Sequence, residues 1–182
     1  MAKALLIIDI QNDYFPGGAM ENVGATQAGN HAKELLTAFR QKALPVIHIQ
    51  HIAARPGATF FLPGTKGADI HESVSPLAGE PVFQKNFPNA FRKTPLLEHL
   101  QANRIDSLVI AGMMTHMCID TSTRAATDLG FSCLLAHDAC ATRALSFGGT
   151  TVPAESVQTT FLAALNGLFA KVQSTREICA AL

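Results

Sequence analysis

The sequence has no CxxC pair, no GxGxxG or GxxxxGK[ST] loop, no run of like charge and no apolar stretch approaching a membrane span. Each absence removes a class of function. Without a glycine-rich loop, phosphate and dinucleotide recognition lack their cradle. Fourteen Lys and Arg balance fourteen Asp and Glu, so no basic patch is available for nucleic acid or for an anionic membrane surface. The start, Met1-Ala2-Lys3-Ala4 and then Leu5 to Ile8, is interrupted too soon by Asp9 to read as a signal peptide. The four cysteines, Cys118, Cys133, Cys140 and Cys179, lie unpaired in apolar segments. That fits reduced thiols in a cytoplasmic protein better than a disulfide framework. Neither nucleic acid nor membrane is expected as a partner.

What is present is enough for one core. A chain of 182 residues with 48% hydrophobic content suits a single domain, residues 1–182. Residues 3–10 and the run Leu108 to Ala111 are continuous apolar stretches, the pattern of strands buried on both faces. Further strands are expected at 46–52, 81–85 and 131–138, with a sixth at the edge over 169–172. Helices are expected over 28–43, from Thr94-Pro95 to about Asn103, over 121–130, from Pro153 to about Leu168 with Val157, Phe161, Leu162, Leu165 and Leu168 inward, and over 175–181 behind Ser174. Residues 53–80 read as a long loop, and Phe147 to Thr151 as a glycine-rich one. Strand and helix alternate throughout. The fold class is therefore α/β, a three-layer open sheet of about six mostly parallel strands with helices on both faces.

Three polar residues stand out against that frame. Asp9 ends an apolar strand, where an isolated buried carboxylate would be costly. Lys85 ends the strand at 81–85. Cys118 follows the turn Gly112-Met113-Met114-Thr115-His116-Met117 and is expected at the start of the next helix. There, unpaired N–H groups and the helix dipole favour a thiolate, and the same N–H groups suit an oxyanion. From that stretch alone a small buried hydrophobe is as good a reading of Cys118. In a parallel sheet, however, ligands bind at the carboxyl ends of the strands, and all three residues lie at or just past such ends.

With these segments in hand, the chain resembles the isochorismatase-like cysteine hydrolases, the family that includes nicotinamidases and N-carbamoylsarcosine amidases. Asp9 within Ile8-Asp9-Ile10-Gln11-Asn12-Asp13-Tyr14, Lys85 within Gln84-Lys85-Asn86-Phe87-Pro88-Asn89-Ala90-Phe91, and Gly112 through Cys118 look like its three motifs, in order. The resemblance implies a Cys–Asp–Lys triad in which Cys118 is the nucleophile, Asp9 takes its proton and Lys85 orients the pair. It also implies a cis peptide at Met113–Met114, with the Met114 and Cys118 backbone N–H groups as the oxyanion hole. Gln11, Tyr14, Gln50 and His116 are candidates for the substrate pocket. Phe60 or Phe61 could join them, although core packing is the commoner role.

The resemblance narrows the substrate without naming it. Nicotinamidases carry an Asp-x-His pair and a further His that bind a metal; here the matching strand end reads Gln50-His51-Ile52 and lacks that pair. His48, His51 and His71 are metal-ligand types, but His48 and His51 should face opposite sides of their strand. No metal and no cofactor is expected. The cysteine at position 118 favours the amide-hydrolysing branch, acting on a small-molecule amide or ureido C–N bond through a thioester. The alternatives are an ether or ester hydrolase on the same scaffold, with Asp9 as acid, and a non-enzymatic redox or binding module using a reactive Cys118. The resemblance also implies a homo-oligomer, dimer or tetramer, for which the apolar segment Ile178 to Leu182 would suit an interface.

Overall fold

The computed structural model describes residues 2–182. Strands β1 (Ala2–Ile8), β2 (Val46–His51), β3 (Val82–Lys85), β4 (Ile105–Met113), β5 (Ser132–Ala141) and β8 (Lys171–Gln173) form one sheet in the order β3-β2-β1-β4-β5-β8. Every neighbouring pair in it is parallel. Five helices complete the α/β fold: α1 (Ala25–Gln41), α2 (Leu96–Ala102), α3 (Asp120–Asp128), α4 (Ala154–Leu165) and α5 (Thr175–Ala180). None is long and apolar enough to cross a membrane.

The continuous apolar runs are explained by two cores, one on each face of the sheet. Leu5 and Ile7 of β1 point into the first, with Leu35, Leu36 and Phe39 of α1 and Ile178 of α5. Ala4, Leu6 and Ile8 alternate into the second, with Leu96 and Leu100 of α2, Ala126 of α3 and Leu165 of α4. A period of two sends successive residues to opposite faces. Because both faces are covered, every residue of the run must be apolar.

Strand order reverses at β1, which leads to β2 and β3 on one side and is flanked by β4 on the other. Such a switch point opens a crevice above the carboxyl ends of the strands. Gly112 makes this edge possible. It lies beside Ile8 with φ 141°, and a Cβ there would collide with the Ile8 carbonyl oxygen.

Several expected features take another form. The stretch around Phe147 to Thr151 is a hairpin, β6 (Leu145–Phe147) against β7 (Thr150–Val152), its two glycines at positive φ in the turn. Helix α4 ends at Leu165, so Leu168 falls in the following turn and is 77% exposed, and Phe161 and Leu162 are half-buried; only Val157 and Leu165 of the expected inward set are buried. Ser174 does cap α5, in a capping box with Glu177. Ile178 is spent inside the chain's own core, with Cys179 and Leu182 packed against it. An interface built on that segment therefore loses its apolar centre.

The long connection from 52 to 81 is tied down rather than loose. It contains two single 3-10 turns, Lys66–Ala68 and Glu72–Val74. The Asp13 carboxylate accepts from Phe61 N at 2.6 Å, and His71 N donates to the Ile10 carbonyl at 2.9 Å. Phe61 is fully buried in the first core beside Tyr14. The packing role expected of the phenylalanines is the one Phe61 has.

Candidate active site

Each of the three polar residues reaches the carboxyl edge of the sheet from the end of a different strand. Asp9 immediately follows β1, with φ 53°, a left-handed conformation that non-glycine residues adopt rarely. Lys85 ends β3, two strands away, and its long side chain crosses the end of β2 to get there. Cys118 lies in a π-helical turn, Thr115–Ile119, between β4 and α3. The thiol thus stands two residues before α3, in a turn that runs directly into it.

The three side chains meet, all buried. Lys85 Nζ lies 2.6 Å from Asp9 Oδ2 and 3.3 Å from Cys118 Sγ. A third acceptor completes the set: His51 Nδ1, 2.9 Å from the same nitrogen. The ligand-type atoms of Asp9, His51 and Cys118 lie within 4.8 Å of one another, a donor set that could hold a metal ion. The group they all face is the Lys85 ammonium, whose three protons match three acceptors. Apart from Lys85, the Asp9 carboxylate has no hydrogen-bond partner among the described residues; its 2.6 Å contact with the ammonium is a buried ion pair.

Electrostatics assign the protons. Burial opposes the Lys85 charge, but the neighbouring Asp9 carboxylate outweighs it and holds its pKa above the ordinary lysine value. Burial first, and then Asp9, push the Cys118 thiol far above its usual range, with Lys85 pulling the other way. Cys118 therefore rests as a thiol. Desolvation of the buried sulfur outweighs the pull of the helix end toward the thiolate, which leaves its proton for Asp9 to take. Burial and Lys85 lower His51 to about 4, so its imidazole is neutral near pH 7.

The backbone around the sulfur is also distinctive. The Met113–Met114 peptide is cis. The Met114 carbonyl accepts from Met117 N and Ile119 N, at 3.0 and 3.2 Å.

The candidate pocket residues divide. Tyr14 is buried, edge-on to Phe61 with ring centroids 4.6 Å apart. Burial above all raises its hydroxyl pKa. His116 bonds Thr142 Oγ1 through Nδ1 at 2.5 Å. Gln11 is fully buried and its amide is spent on backbone: it accepts from His51 N and donates to the carbonyls of His51 and Ala68. Gln50 donates to Ala68 O and accepts from Gln84. It shares a face with Gln84, whereas its neighbour His51 pairs in register with Lys85. So His51, not Gln50, meets the three side chains. The period of two at the end of β2 was the signal for that difference, but which parity faces Lys85 depends on the β2–β3 register.

The histidines weighed as ligands go to three places. His48 bonds Glu80 at 3.0 Å, His51 bonds Lys85, and His71 stacks on Phe15 with centroids 3.5 Å apart.

Comparison with known proteins settles the lineage. Residues 3–177 match the isochorismatase domain. The chain belongs to the isochorismatase family. It is 48% identical to the isochorismatase family protein YddQ of Bacillus subtilis strain 168, over 96% of this chain and 97% of that one. The crystal structure of an isochorismatase hydrolase from Oleispira antarctica superposes with a TM-score of 0.95, at 49% identity, covering 98% of this chain and 96% of that one. A maleamate amidohydrolase of Pseudomonas putida KT2440 is 31% identical over 74% of this chain and 70% of its own. The resemblance read from three short motifs thus extends over nearly the whole chain, and Asp9, Lys85 and Cys118 lie together, consistent with a cysteine-hydrolase triad.

Proposed function

We propose that this isochorismatase-family hydrolase cleaves an amide or ureido C–N bond of a small molecule through a thioester on Cys118. One observation carries the reading: a buried ammonium, Lys85, touches both a buried carboxylate and a buried thiol, at 2.6 and 3.3 Å. A thiol resting protonated needs a base, and Asp9 is the carboxylate beside it. As Asp9 takes the proton, the sulfur attacks the carbonyl carbon, and the Lys85 ammonium stabilises the negative charge developing on sulfur. The oxyanion is held by the Met114 and Cys118 N–H groups; one such donor contributes roughly 3 kcal/mol. Asp9 then returns its proton to the departing nitrogen. Water, deprotonated by Asp9, hydrolyses the thioester and regenerates the thiol. The amidohydrolase among the relatives supports this chemistry over ether cleavage.

The test is an ammonia-release screen over small amides and ureides, run beside Cys118→Ala. We expect at least one substrate to be hydrolysed, with a covalent adduct on Cys118 trapped by acid quench and no turnover by the variant. Hydrolysis that persists in Cys118→Ala would sink the thioester route. Turnover of vinyl ethers or esters but no amide would favour the ether or ester reading.

A further inference from the structure

We propose that His51 is a positioning residue, a neutral imidazole whose Nδ1 holds the Lys85 ammonium in place between Asp9 and Cys118. The proposal rests on the reading of those three residues as the catalytic group.

The geometry starts from the sheet. Adjacent strands lie about 4.8 Å apart, so Lys85 on β3 must pass over the end of β2 to reach Asp9 beyond β1. His51 is the last residue of β2 and lies in register with Lys85 on the same face. An ammonium has three protons and no acceptor. Asp9 Oδ2 and Cys118 Sγ take two directions, and His51 Nδ1, at 2.9 Å, takes the third. Nδ1 can accept only if it carries no proton, so the ring proton sits on Nε2.

The rest of the protein holds this ring still. Gln11 grips both backbone groups of His51, accepting from its N–H at 2.7 Å and donating to its carbonyl at 2.9 Å. Gln11 is itself fixed by Ala68 O at 2.7 Å. On the other side, Ile52 N bonds Lys85 O, and the Asn86 amide bonds Ile52 O. Phe61 lies against the ring, centroids 5.8 Å apart. The charged groups acting on His51 are Lys85, Asp9 and, most weakly, Arg55; burial and then Lys85 dominate, and keep the ring neutral. A side chain that merely filled space would need neither a fixed tautomer nor a clamped backbone.

Without this acceptor one N–H of a buried ammonium is left unsatisfied, a loss of about tenfold or more in any property that depends on its placement. The property to read is the rate at which iodoacetamide alkylates Cys118, located by peptide mapping, because it needs no substrate. The full chain is compared with His51→Leu, His51→Asn and His51→Gln, with thermal unfolding alongside. Asn places an oxygen near the position of Nδ1; Gln places its oxygen near Nε2. We expect His51→Leu to alkylate about tenfold more slowly, His51→Asn to recover to within about threefold of wild type, and His51→Gln to resemble Leu. Wild-type alkylation by a folded His51→Leu overturns the proposal. Should His51→Leu fail to fold, the other two decide: Gln equal to or faster than Asn overturns it. The outcome is independent of the amide screen. If the alkylation pattern holds and no amide is cleaved, the substrate reading fails and the role of His51 stands.

Discussion

Lys85 Nζ lies 2.6 Å from Asp9 Oδ2 with both side chains wholly removed from solvent. Breaking such a pair leaves one uncompensated charge in the interior, which costs more than the pair itself contributes.

Lys85→Met should therefore lose about 3–5 kcal/mol of stability, read by urea unfolding. The double variant Asp9→Asn, Lys85→Met should regain most of it, since no buried charge remains, and still hydrolyse nothing. A Lys85→Met protein as stable as wild type would mean that Asp9 is not charged opposite it.

Asp9→Asn separates the reactivity of the sulfur from catalysis. Asp9 is, after burial, the main influence pushing the thiol up, and Lys85 opposes it. Removing the carboxylate should lower the Cys118 pKa and raise the thiolate fraction. We expect faster alkylation of Cys118 at pH 8 together with lost hydrolysis. Slower alkylation would contradict this ordering of charges.

The Arg40–Glu80–His48 cluster predicts an acid limb in stability. Arg40 bonds both Glu80 oxygens, at 2.7 and 2.8 Å, and lowers its pKa from the ordinary 4.5 to about 2. The folded value lies below the unfolded one, so the unfolded chain takes up the proton first. The stabilisation is complete above about pH 4.5 and is lost as pH falls towards 2. In Glu80→Gln the midpoint of denaturant unfolding should be lower at pH 7 and vary less across that window. An unchanged pH dependence would remove Glu80 from the account.

Gly112→Ala tests the crevice itself. A Cβ would collide with the Ile8 carbonyl, at a φ that side chains rarely adopt. Backbone on both sides leaves no flexible group to yield, so we expect a loss of about 3 kcal/mol or more. A melting temperature within a degree or two of wild type would contradict the close approach.

Much of this was legible in the chain by itself. The two-sided burial of β1 and β4 shows as unbroken apolar runs, and alternation with helices makes the sheet parallel. A parallel sheet gathers its strand ends on one edge, which is why Asp9, Lys85 and Cys118 could be grouped from sequence. Leu168 and the hairpin at 145–152 were misjudged for a shared reason. Helical spacing persists past the residue where the backbone turns, and glycines mark a turn without saying whether its flanks pair.

The protonation of Cys118 and the place of His51 were decided only by the tertiary structure. The first depends on how much water the fold excludes from the sulfur, a property of packing from many segments. The second depends on the register of β2 against β3, set by residues far apart in the chain. Sequence determined which residues are brought to the strand ends; three-dimensional packing determined that they close around one ammonium, because a proton's partner is chosen by distance and solvent exclusion.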